Sequence, residues 1–504
     1  MLQIDGNSLT VDQVASVADG TSGEVRLAPE AVARVKRSRD FIEELLRGNE
    51  RIYGVTTGFG RLAEVFIPPA RRAELQLNLV RSHSSGFGAP MPREVVRVIM
   101  LLRANALARG NSGCRLEVIQ RLLDFLELGI HPVVPEVGSV GASGDLAPLA
   151  HIAQALVGEG DVEIDGVVRP AATVLASHDL LPLQLVEKEG LALINGTQGT
   201  TALALLSLLS AERTLEALEV AGAMSLEGLR GTPDPFRPEI HAARPHAGQA
   251  ASAARLWELL DDSEIRESHR YGDPRVHDAY SLRCMPQVHG ASREVLRYVR
   301  GVIETEINSS TDNPLIFPEQ GMVVSAGNFH AQIVSQALDF LAIAVADLAS
   351  ISERRVERLL NPDLSELPAF LARDAGVQSG FMIAQVAIAD ALSELRVLAH
   401  PASVDSVPTS GNKEDHVSMG FAAGRKARRA VQLLEYVVAV ELMCAAQALE
   451  FRKPLKPGRG VREAYAIVRE HVRPLDGDRA LSRDIELLRD TIRSGRFTAV
   501  GRLA

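Results

Sequence analysis

The chain has 504 residues, of which 46% are hydrophobic and only 4% aromatic, and its formal net charge is −10. The acidic balance argues against a nucleic-acid partner, because such proteins need a basic surface to displace counterions. Three cysteines lie far apart in the sequence, which indicates neither a disulfide framework nor a zinc site, and we predict no bound metal. A core poor in aromatic residues and rich in alanine favours closely packed helices.

The first part of the chain alternates predicted helices with glycine-rich loops. A capping box from Thr10 to Gln13 predicts the start of one helix. Further helices are predicted over residues 29–46, 92–109 and 114–128. Residues 51–60, RIYGVTTGFG, contain too much glycine and threonine for a helix and predict a loop around Tyr53. Residues 162–169, VEIDGVVR, predict a β-hairpin with an Asp-Gly turn.

From about residue 200 the sequence predicts long helices, and we divide the chain into an N-terminal lobe, 1–200, and a helical bundle, 201–504. The long helices are predicted over residues 200–229, 292–308, 332–360 and 425–450. Polar loops are predicted between them over 276–290, 308–330 and 398–420. Helices of this length pack side by side and bury faces against other subunits.

The sequence predicts neither a membrane span nor a secretory signal. The apolar stretch from Gln332 to Leu360 is interrupted by Asp339, Asp347 and Glu353, which indicates a buried helix. The first residues, MLQIDGNSLTVDQVAS, lack a basic segment followed by an apolar one. We therefore expect a cytoplasmic protein without a membrane partner.

The segment GSVGASGDLAPLAHIA, residues 138–153, contains the tripeptide Ala142-Ser143-Gly144. Its glycines permit backbone conformations closed to other residues, so the Gly144 nitrogen can approach the Ala142 carbonyl carbon. Attack of that nitrogen, with loss of one water from the ring and one from the Ser143 side chain, would give 4-methylidene-imidazol-5-one (MIO). This group is a strong electrophile. The structural alternative is a glycine turn before a helix that Asp145 caps.

Two tyrosines in polar or glycine-rich loops, Tyr53 and Tyr280, are candidates for a general base. A tyrosinate whose pKa is depressed by neighbouring cations or hydrogen-bond donors could remove a weakly acidic proton. Arg283 could bind a substrate carboxylate through a bidentate pair. The structural alternatives are a tyrosine ring packed at the base of its loop and a surface ion pair of the arginine.

Ten segments spread over nearly the whole chain resemble the aromatic amino acid ammonia-lyase and aminomutase family. They are YGVTTGFG, NLVRSHSSG, GSVGASGDLAPLAH, GLALINGTQ, DAYSLRCMPQVHGA, TDNPL, GNFH, SGFMIAQ, HPASVDSVPTS and EDHVSMG. The resemblance implies an all-α fold, an MIO cofactor formed from Ala142, Ser143 and Gly144, and a homotetramer whose active sites draw on three subunits.

The same resemblance implies roles for individual residues. Tyr53 would be the catalytic base, Tyr280 would assist amine release, Asn195 would support the MIO carbonyl, Arg283 would bind the substrate carboxylate, and Phe329 would line the MIO cavity.

The Ser82-His83 pair and Glu414 resemble the histidine-specific members of the family. A buried carboxylate and a histidine can satisfy both nitrogens of an imidazole ring, whereas a benzene ring would leave these polar groups unpaired. We therefore expect non-oxidative deamination of L-histidine to trans-urocanate and ammonia. His83 and Glu414 would bind the substrate together with His277 and Lys413.

Two of these positions depart from the pattern of the histidine enzymes, which carry glutamine where this chain has His277 and Lys413. Lys413 could neutralise Glu414 or compete with the imidazole for it. Tyrosine 2,3-aminomutases share the Ser-His pair at 82 and 83. A tyrosine or phenylalanine ammonia-lyase or a tyrosine 2,3-aminomutase is therefore the first alternative, and a catalytically inactive helical scaffold is the second.

Overall fold

The computed structural model describes residues 1–48 and 51–502, and the contacts between residues group the chain into two compact units. The first unit comprises residues 1–206, 300–339 and 401–425. The second comprises residues 207–299, 340–400 and the chain from 426 onward. The division predicted from the sequence used two continuous segments, 1–200 and 201–504, whereas each unit of the structure is assembled from three separate stretches.

Within the described residues, the first unit contains eight helices ahead of residue 198. They are Val11–Ala18, Pro29–Leu45, Arg72–His83, Arg93–Ala108, Leu116–Glu127, Leu146–Leu156, Ala171–Ser177 and Glu189–Ile194. The predicted capping box is confirmed, because the Thr10 side chain accepts the Gln13 N–H and the Gln13 side chain accepts the Thr10 N–H. Every residue from Val98 to Ala108 is buried or nearly so, as expected for a helix surrounded by others.

Short paired strands accompany these helices. Leu2–Ile4 pairs in parallel with Val25–Leu27, and the antiparallel pairs are Phe87–Pro90 with Pro135–Val137, His131–Pro132 with Asp161–Ile164, Asp161–Ile164 with Val167–Pro170, and Leu315–Phe317 with Met322–Val324. The predicted Asp-Gly hairpin is confirmed. Asp165 and Gly166 have φ of 51° and 78°, the left-handed values that its tight turn requires.

The four long helices are Gln198–Gly228, Met285–Glu306, Gln332–Leu360 and Gly420–Glu450. The shorter helices of the second unit are Pro238–Ala242, Ala247–Leu259, Glu264–Glu267, Tyr280–Arg283, Pro362–Ser365, Met382–Leu398, Arg459–His471 and Ser482–Arg493. Single 3₁₀ turns occur at Gly60–Leu62, Pro69–Arg71, Asp234–Phe236, Pro318–Gln320, Ala369–Leu371 and Ser410–Asn412.

Two of the predicted loops are partly wrong. Much of 276–290 is helical, because Pro286 stands at the second position of a helix, where its missing N–H breaks no hydrogen bond. Within 308–330 the apolar run Leu315–Phe317 pairs with Met322–Val324 to form a hairpin. The segment 398–420 is irregular, as predicted, apart from its single 3₁₀ turn.

Two helices, Gln332–Leu360 and Gly420–Glu450, are long and apolar enough to cross a membrane by length and composition. Their most apolar windows are 61% and 89% buried inside the protein. Packing against the rest of the chain therefore accounts for their apolar character, as it does in the core helices of globular proteins.

Three long helices meet at the carboxylate of Glu441, which is fully buried in the second unit. Arg355 donates to it through Nε at 2.5 Å and Nη2 at 2.8 Å. The hydroxyls of Ser225 and Ser352 donate at 2.8 and 2.6 Å. A buried charge is costly unless it is paired and hydrogen-bonded, and these four donors compensate the desolvation of this carboxylate.

We expect Arg355→Met to destabilise the fold by about 3–5 kcal/mol, because it leaves Glu441 buried without its cationic partner. Arg429→Met is the matched control, since it breaks an ion pair with Glu394 in which both side chains are about half exposed. That change should cost less than about 1 kcal/mol. Urea unfolding followed by circular dichroism measures the loss in free energy of unfolding for both variants. Equal losses would contradict a stabilising role for the buried pair of Arg355 and Glu441.

Candidate active site

The tripeptide loop is pressed against the backbone of Gly196. Gly144 has a φ of 77°, and a Cβ at this position would overlap the carbonyl group and nitrogen of Gly196. The N–H of Asp145 donates to the Gly196 oxygen at 2.7 Å, beside a backbone bridge between residues 144 and 196. Only glycine fits at position 144, and Ser143 is thereby held next to the turn that follows Asn195.

Asp145 links this loop to Ser139 and to the start of the helix Gln198–Gly228. Its fully buried carboxylate accepts hydrogen bonds from the Ser139 hydroxyl at 2.8 Å and from the Thr200 N–H and hydroxyl at 2.6 and 2.9 Å. Burial raises the pKa of Asp145. Asp145 occupies the N-cap position of the helix Leu146–Leu156, as predicted, but its side chain makes no capping bond to that helix.

Tyr53 lies in the predicted loop, where its hydroxyl accepts the N–H of Gly60 at 3.1 Å and its ring meets Phe59 edge-on. Burial raises the pKa of Tyr53; the Gly60 N–H opposes this effect, and the charge of Glu414 adds to it. The phenol therefore does not have, in this structure, the depressed pKa that would favour a tyrosinate. The largest cause is the loss of solvent around the buried phenol.

His83 is the last residue of the helix Arg72–His83, and its Nδ1 lies 2.8 Å from the carbonyl oxygen of Leu79. A carbonyl oxygen can only accept, so Nδ1 carries the proton and Nε2 is an acceptor. Burial lowers the pKa of His83, which favours the neutral ring.

Glu414 holds two hydroxyl groups. Its Oε1 accepts a hydrogen bond from Ser143 Oγ, and its Oε2 accepts one from Thr409 Oγ1, each at 2.7 Å. The carboxylate therefore touches the side chain of the predicted reactive tripeptide directly.

Asn195 follows the helix Glu189–Ile194 and is only 2% exposed. Its side-chain Oδ1 is buried and has no hydrogen-bond partner within the described residues. Buried amide oxygens ordinarily have a partner, so an unpaired one at a cavity wall is available to a ligand.

Two buried side chains hold the helix before Asn195, and the sequence analysis identified neither. Arg103 donates to the carbonyl oxygen of Ala192 at 2.7 Å. Gln76 accepts the N–H of Gly190 at 3.0 Å and donates to the carbonyl oxygen of Gly54 at 3.3 Å, which ties this helix to the loop of Tyr53. The sign of both residues in the sequence is a polar side chain within an apolar stretch of a helix, at Gln76 in LQLNLV and at Arg103 in MLLRANALA.

Five predicted site residues line one cavity of about 450 Å³ in the first unit. They are Tyr53, His83, Ser143, Asn195 and Glu414, and the apolar part of the wall includes Leu75, Leu79, Leu146, Leu191 and Ile194. Mostly apolar walls with a few convergent polar groups are typical of sites for small molecules.

Other predicted residues lie elsewhere. Phe329 and Lys413 belong to the first unit but do not line this cavity. His277, Tyr280 and Arg283 belong to the second unit, where the Arg283 guanidinium stacks on the Tyr280 ring at 4.7 Å from its centroid. The roles of all five stay predictions. Within residues 1–48 and 51–502, no group of three or more His, Cys, Asp or Glu side chains could hold a metal ion.

Comparisons with known proteins identify relatives over the full length. Histidine ammonia-lyase from Anaeromyxobacter sp. (strain K) is 53% identical over 502 residues, which cover 98% of this chain and 99% of that protein. The crystal structure of histidine ammonia-lyase from Trypanosoma cruzi superposes with a TM-score of 0.92 at 42% identity, covering 99% of this chain and 94% of that one. Tyrosine aminomutase from Streptomyces globisporus superposes with a TM-score of 0.94 at 39% identity, covering 99% and 98%.

The model of the family described as aromatic amino acid lyase matches residues 9–470. This match spans most of the chain and includes every residue that lines the cavity. The chain belongs to the aromatic amino acid lyase family.

Proposed function

We propose that this protein is an MIO-dependent ammonia-lyase that deaminates L-histidine to trans-urocanate. The observation that carries the proposal is the convergence of Tyr53, His83, Ser143, Asn195 and Glu414 on one cavity. The full-length similarity to a histidine ammonia-lyase at 53% identity supports the choice of substrate.

The backbone conformation around Ala142, Ser143 and Gly144 is compatible with formation of the MIO cofactor. Gly141 and Gly144 both have left-handed φ, and the absence of a side chain at 144 lets the backbone of Gly196 press against the loop. When formed, MIO would supply an electrophilic carbon that takes up the substrate amine and makes it a better leaving group. The unpaired Oδ1 of Asn195 would accept a hydrogen bond from the amino group, and its amide N–H would donate to the ring carbonyl oxygen.

The polar wall of the cavity suits an imidazole ring. His83 offers Nε2 as an acceptor, because its Nδ1 proton is engaged by Leu79. Glu414 offers a carboxylate. Two acceptors match the two N–H groups of an imidazolium, and a positive charge on the ring would make the neighbouring β-proton more acidic. A benzene ring would leave both acceptors unpaired.

Tyr53 would remove the β-proton. Its hydroxyl oxygen accepts the N–H of Gly60, an interaction that strengthens when the oxygen becomes a phenolate. Because burial raises the pKa of Tyr53, the phenolate is a minor form near neutral pH. Below the pKa, the phenolate fraction rises about tenfold for each unit by which the pH increases.

We extend the proposal to a homotetramer whose active sites draw on three subunits. Tyr280 is 70% exposed and Val276 is 97% exposed in the protomer, and packing against another subunit would remove their apolar surface from water. Arg283 would bind the substrate carboxylate and Tyr280 would assist amine release. Phe329 would line the MIO cavity, and His277 and Lys413 would border the substrate ring.

The proposal also includes a cytoplasmic location and a small-molecule substrate rather than a nucleic acid or a membrane. Cys114, Cys284 and Cys444 are all free, and the first and last are buried. Unpaired cysteines fit a reducing compartment.

A tyrosine 2,3-aminomutase is the second candidate function. The specific observation in its favour is the TM-score of 0.94 to the tyrosine aminomutase of Streptomyces globisporus. Lys413 beside Glu414 would alter the charge that an imidazole meets.

Incubation of the purified full-length protein with histidine, tyrosine or phenylalanine separates these functions. We expect the ultraviolet band of urocanate from histidine, and no product from any of the three with Ser143→Ala. A β-amino acid formed from tyrosine would identify an aminomutase. A native chain that shows neither turnover nor a mass deficit of two waters would identify an inactive scaffold.

We expect His83→Leu to lower kcat/KM for histidine by about 10- to 100-fold, because a buried ring nitrogen of the substrate loses its partner. The loss should be much smaller for phenylalanine, whose ring has no such nitrogen. Ser84→Ala at the adjacent position is the control, because the Ser84 hydroxyl donates to the backbone carbonyl oxygen of Val80. Equal losses for both substrates would contradict the assignment.

Because the pKa of Tyr53 is raised, we expect kcat to increase as the pH rises from neutral into the alkaline range. The phenolate is protonated as the pH falls, so the plot of kcat against pH should be steepest at pH values below the pKa of this phenol. The profile of kcat reports the enzyme–substrate complex and avoids ionisation of the free substrate amine. A residual activity of Tyr53→Phe that keeps the same rise would exclude Tyr53 as its source.

A further inference from the structure

Within the described residues, the hydroxyl of Ser143 makes its hydrogen bond to one group. Oγ donates to Oε1 of Glu414 at 2.7 Å, a contact between residues 271 positions apart in the sequence. Oγ is also the atom that must depart as water if Ser143 is to become part of the cofactor. The carboxylate thus touches the leaving atom of a reaction that occurs before any substrate can be processed.

The carboxylate of Glu414 is held in place by its own turn. Thr409 donates to Oε2 through its hydroxyl at 2.7 Å and to the Glu414 carbonyl oxygen through its N–H at 2.8 Å. Between them Ser410, Gly411 and Asn412 have φ of 51°, 60° and 67°. Two left-handed non-glycine residues store strain of a kind that clusters at functional sites. The turn therefore fixes where the carboxylate points.

The other acidic groups near the tripeptide are engaged elsewhere. Asp145 is fully buried and its oxygens accept from Ser139 and Thr200. The Tyr53 hydroxyl is bonded to the N–H of Gly60. Glu414 is the titratable side chain whose oxygen lies at hydrogen-bond distance from Ser143 Oγ.

We infer that Glu414 catalyses the dehydration of Ser143 during cofactor formation, in addition to the substrate-binding role proposed above. This inference rests on the proposed MIO-dependent function. The carboxylate takes the proton from Cα of Ser143, the electron pair of that C–H bond forms the Cα=Cβ double bond, and the Cβ–Oγ bond breaks. The departing oxygen takes the proton back from the Glu414 carboxyl and leaves as water. Glu414 ends as a carboxylate, and no other reactant is consumed.

The water lost in ring closure has a different origin. It takes its oxygen from the Ala142 carbonyl and its two hydrogens from the backbone nitrogens of Ser143 and Gly144. The two losses can therefore be separated by mass, since a chain that closes the ring but keeps its hydroxyl is lighter by one water instead of two.

The test follows the intact mass of the full-length chain at intervals after cell-free synthesis. The unsubstituted protein should lose two waters. Glu414→Gln, whose amide can hydrogen-bond but cannot relay a proton in this way, should accumulate a chain lighter by one water and lose the second at least about 100-fold more slowly. Asp415→Asn, at the adjacent exposed carboxylate, is the matched control and should lose both at the normal rate.

The outcomes distinguish this inference from the proposed function. If the unsubstituted, folded chain loses no water, the proposed cofactor fails. If it loses two and Glu414→Gln does so at the same rate, only the role of Glu414 is overturned, and a folded Glu414→Gln chain that loses none overturns it too. Glu414→Asp keeps a proton carrier, and it should lose the second water faster than Glu414→Gln, whereas equal rates would contradict proton transfer.

Discussion

The close approach of two glycines is the constraint on which the candidate site depends. Gly144 cannot carry a side chain because the backbone of Gly196 occupies its place, and Gly196 in turn leaves room for the guanidinium of Arg103. Close packing as well as hydrogen bonds therefore fixes the positions of the tripeptide loop, the turn after Asn195 and the helix Arg93–Ala108. This contact places Ser143 and Asn195 on one cavity wall although they are 52 positions apart in the chain.

Buried polar side chains on helices hold the segments around the site together through hydrogen bonds to their backbones. Gln76 is completely buried, and it links the carbonyl of Gly54 to the N–H of Gly190, which ties the loop of the proposed base to the helix before Asn195. Such groups are costly to bury and are retained where every bond is satisfied. The second unit uses the same principle at Glu441, where three long helices share one carboxylate.

Sequence reasoning reached the parts of the site that depend on local chemistry. The irregular loop of Tyr53 and the long helices could be predicted, because composition and periodicity encode them directly. The tripeptide beginning at Ala142 was singled out by the resemblance of its surrounding segment to the family, since its own residues also fit a plain glycine turn. Sequence reasoning missed the hairpin of Leu315–Phe317 and the roles of Gln76 and Arg103, which are set by tertiary neighbours. It could not give the pKa of Tyr53, which burial raises, since desolvation is visible only once the fold is known.

The first unit is completed by a stretch that is made late. Its third segment, residues 401–425, brings Glu414 to a serine that precedes it by 271 positions. At ordinary rates of translation the interval between the two is on the order of tens of seconds. A nascent chain therefore carries the tripeptide through that time without the acceptor for the Ser143 hydroxyl. On the proposed mechanism, the order of synthesis itself would delay the loss of that hydroxyl until residues 401–425 have been made.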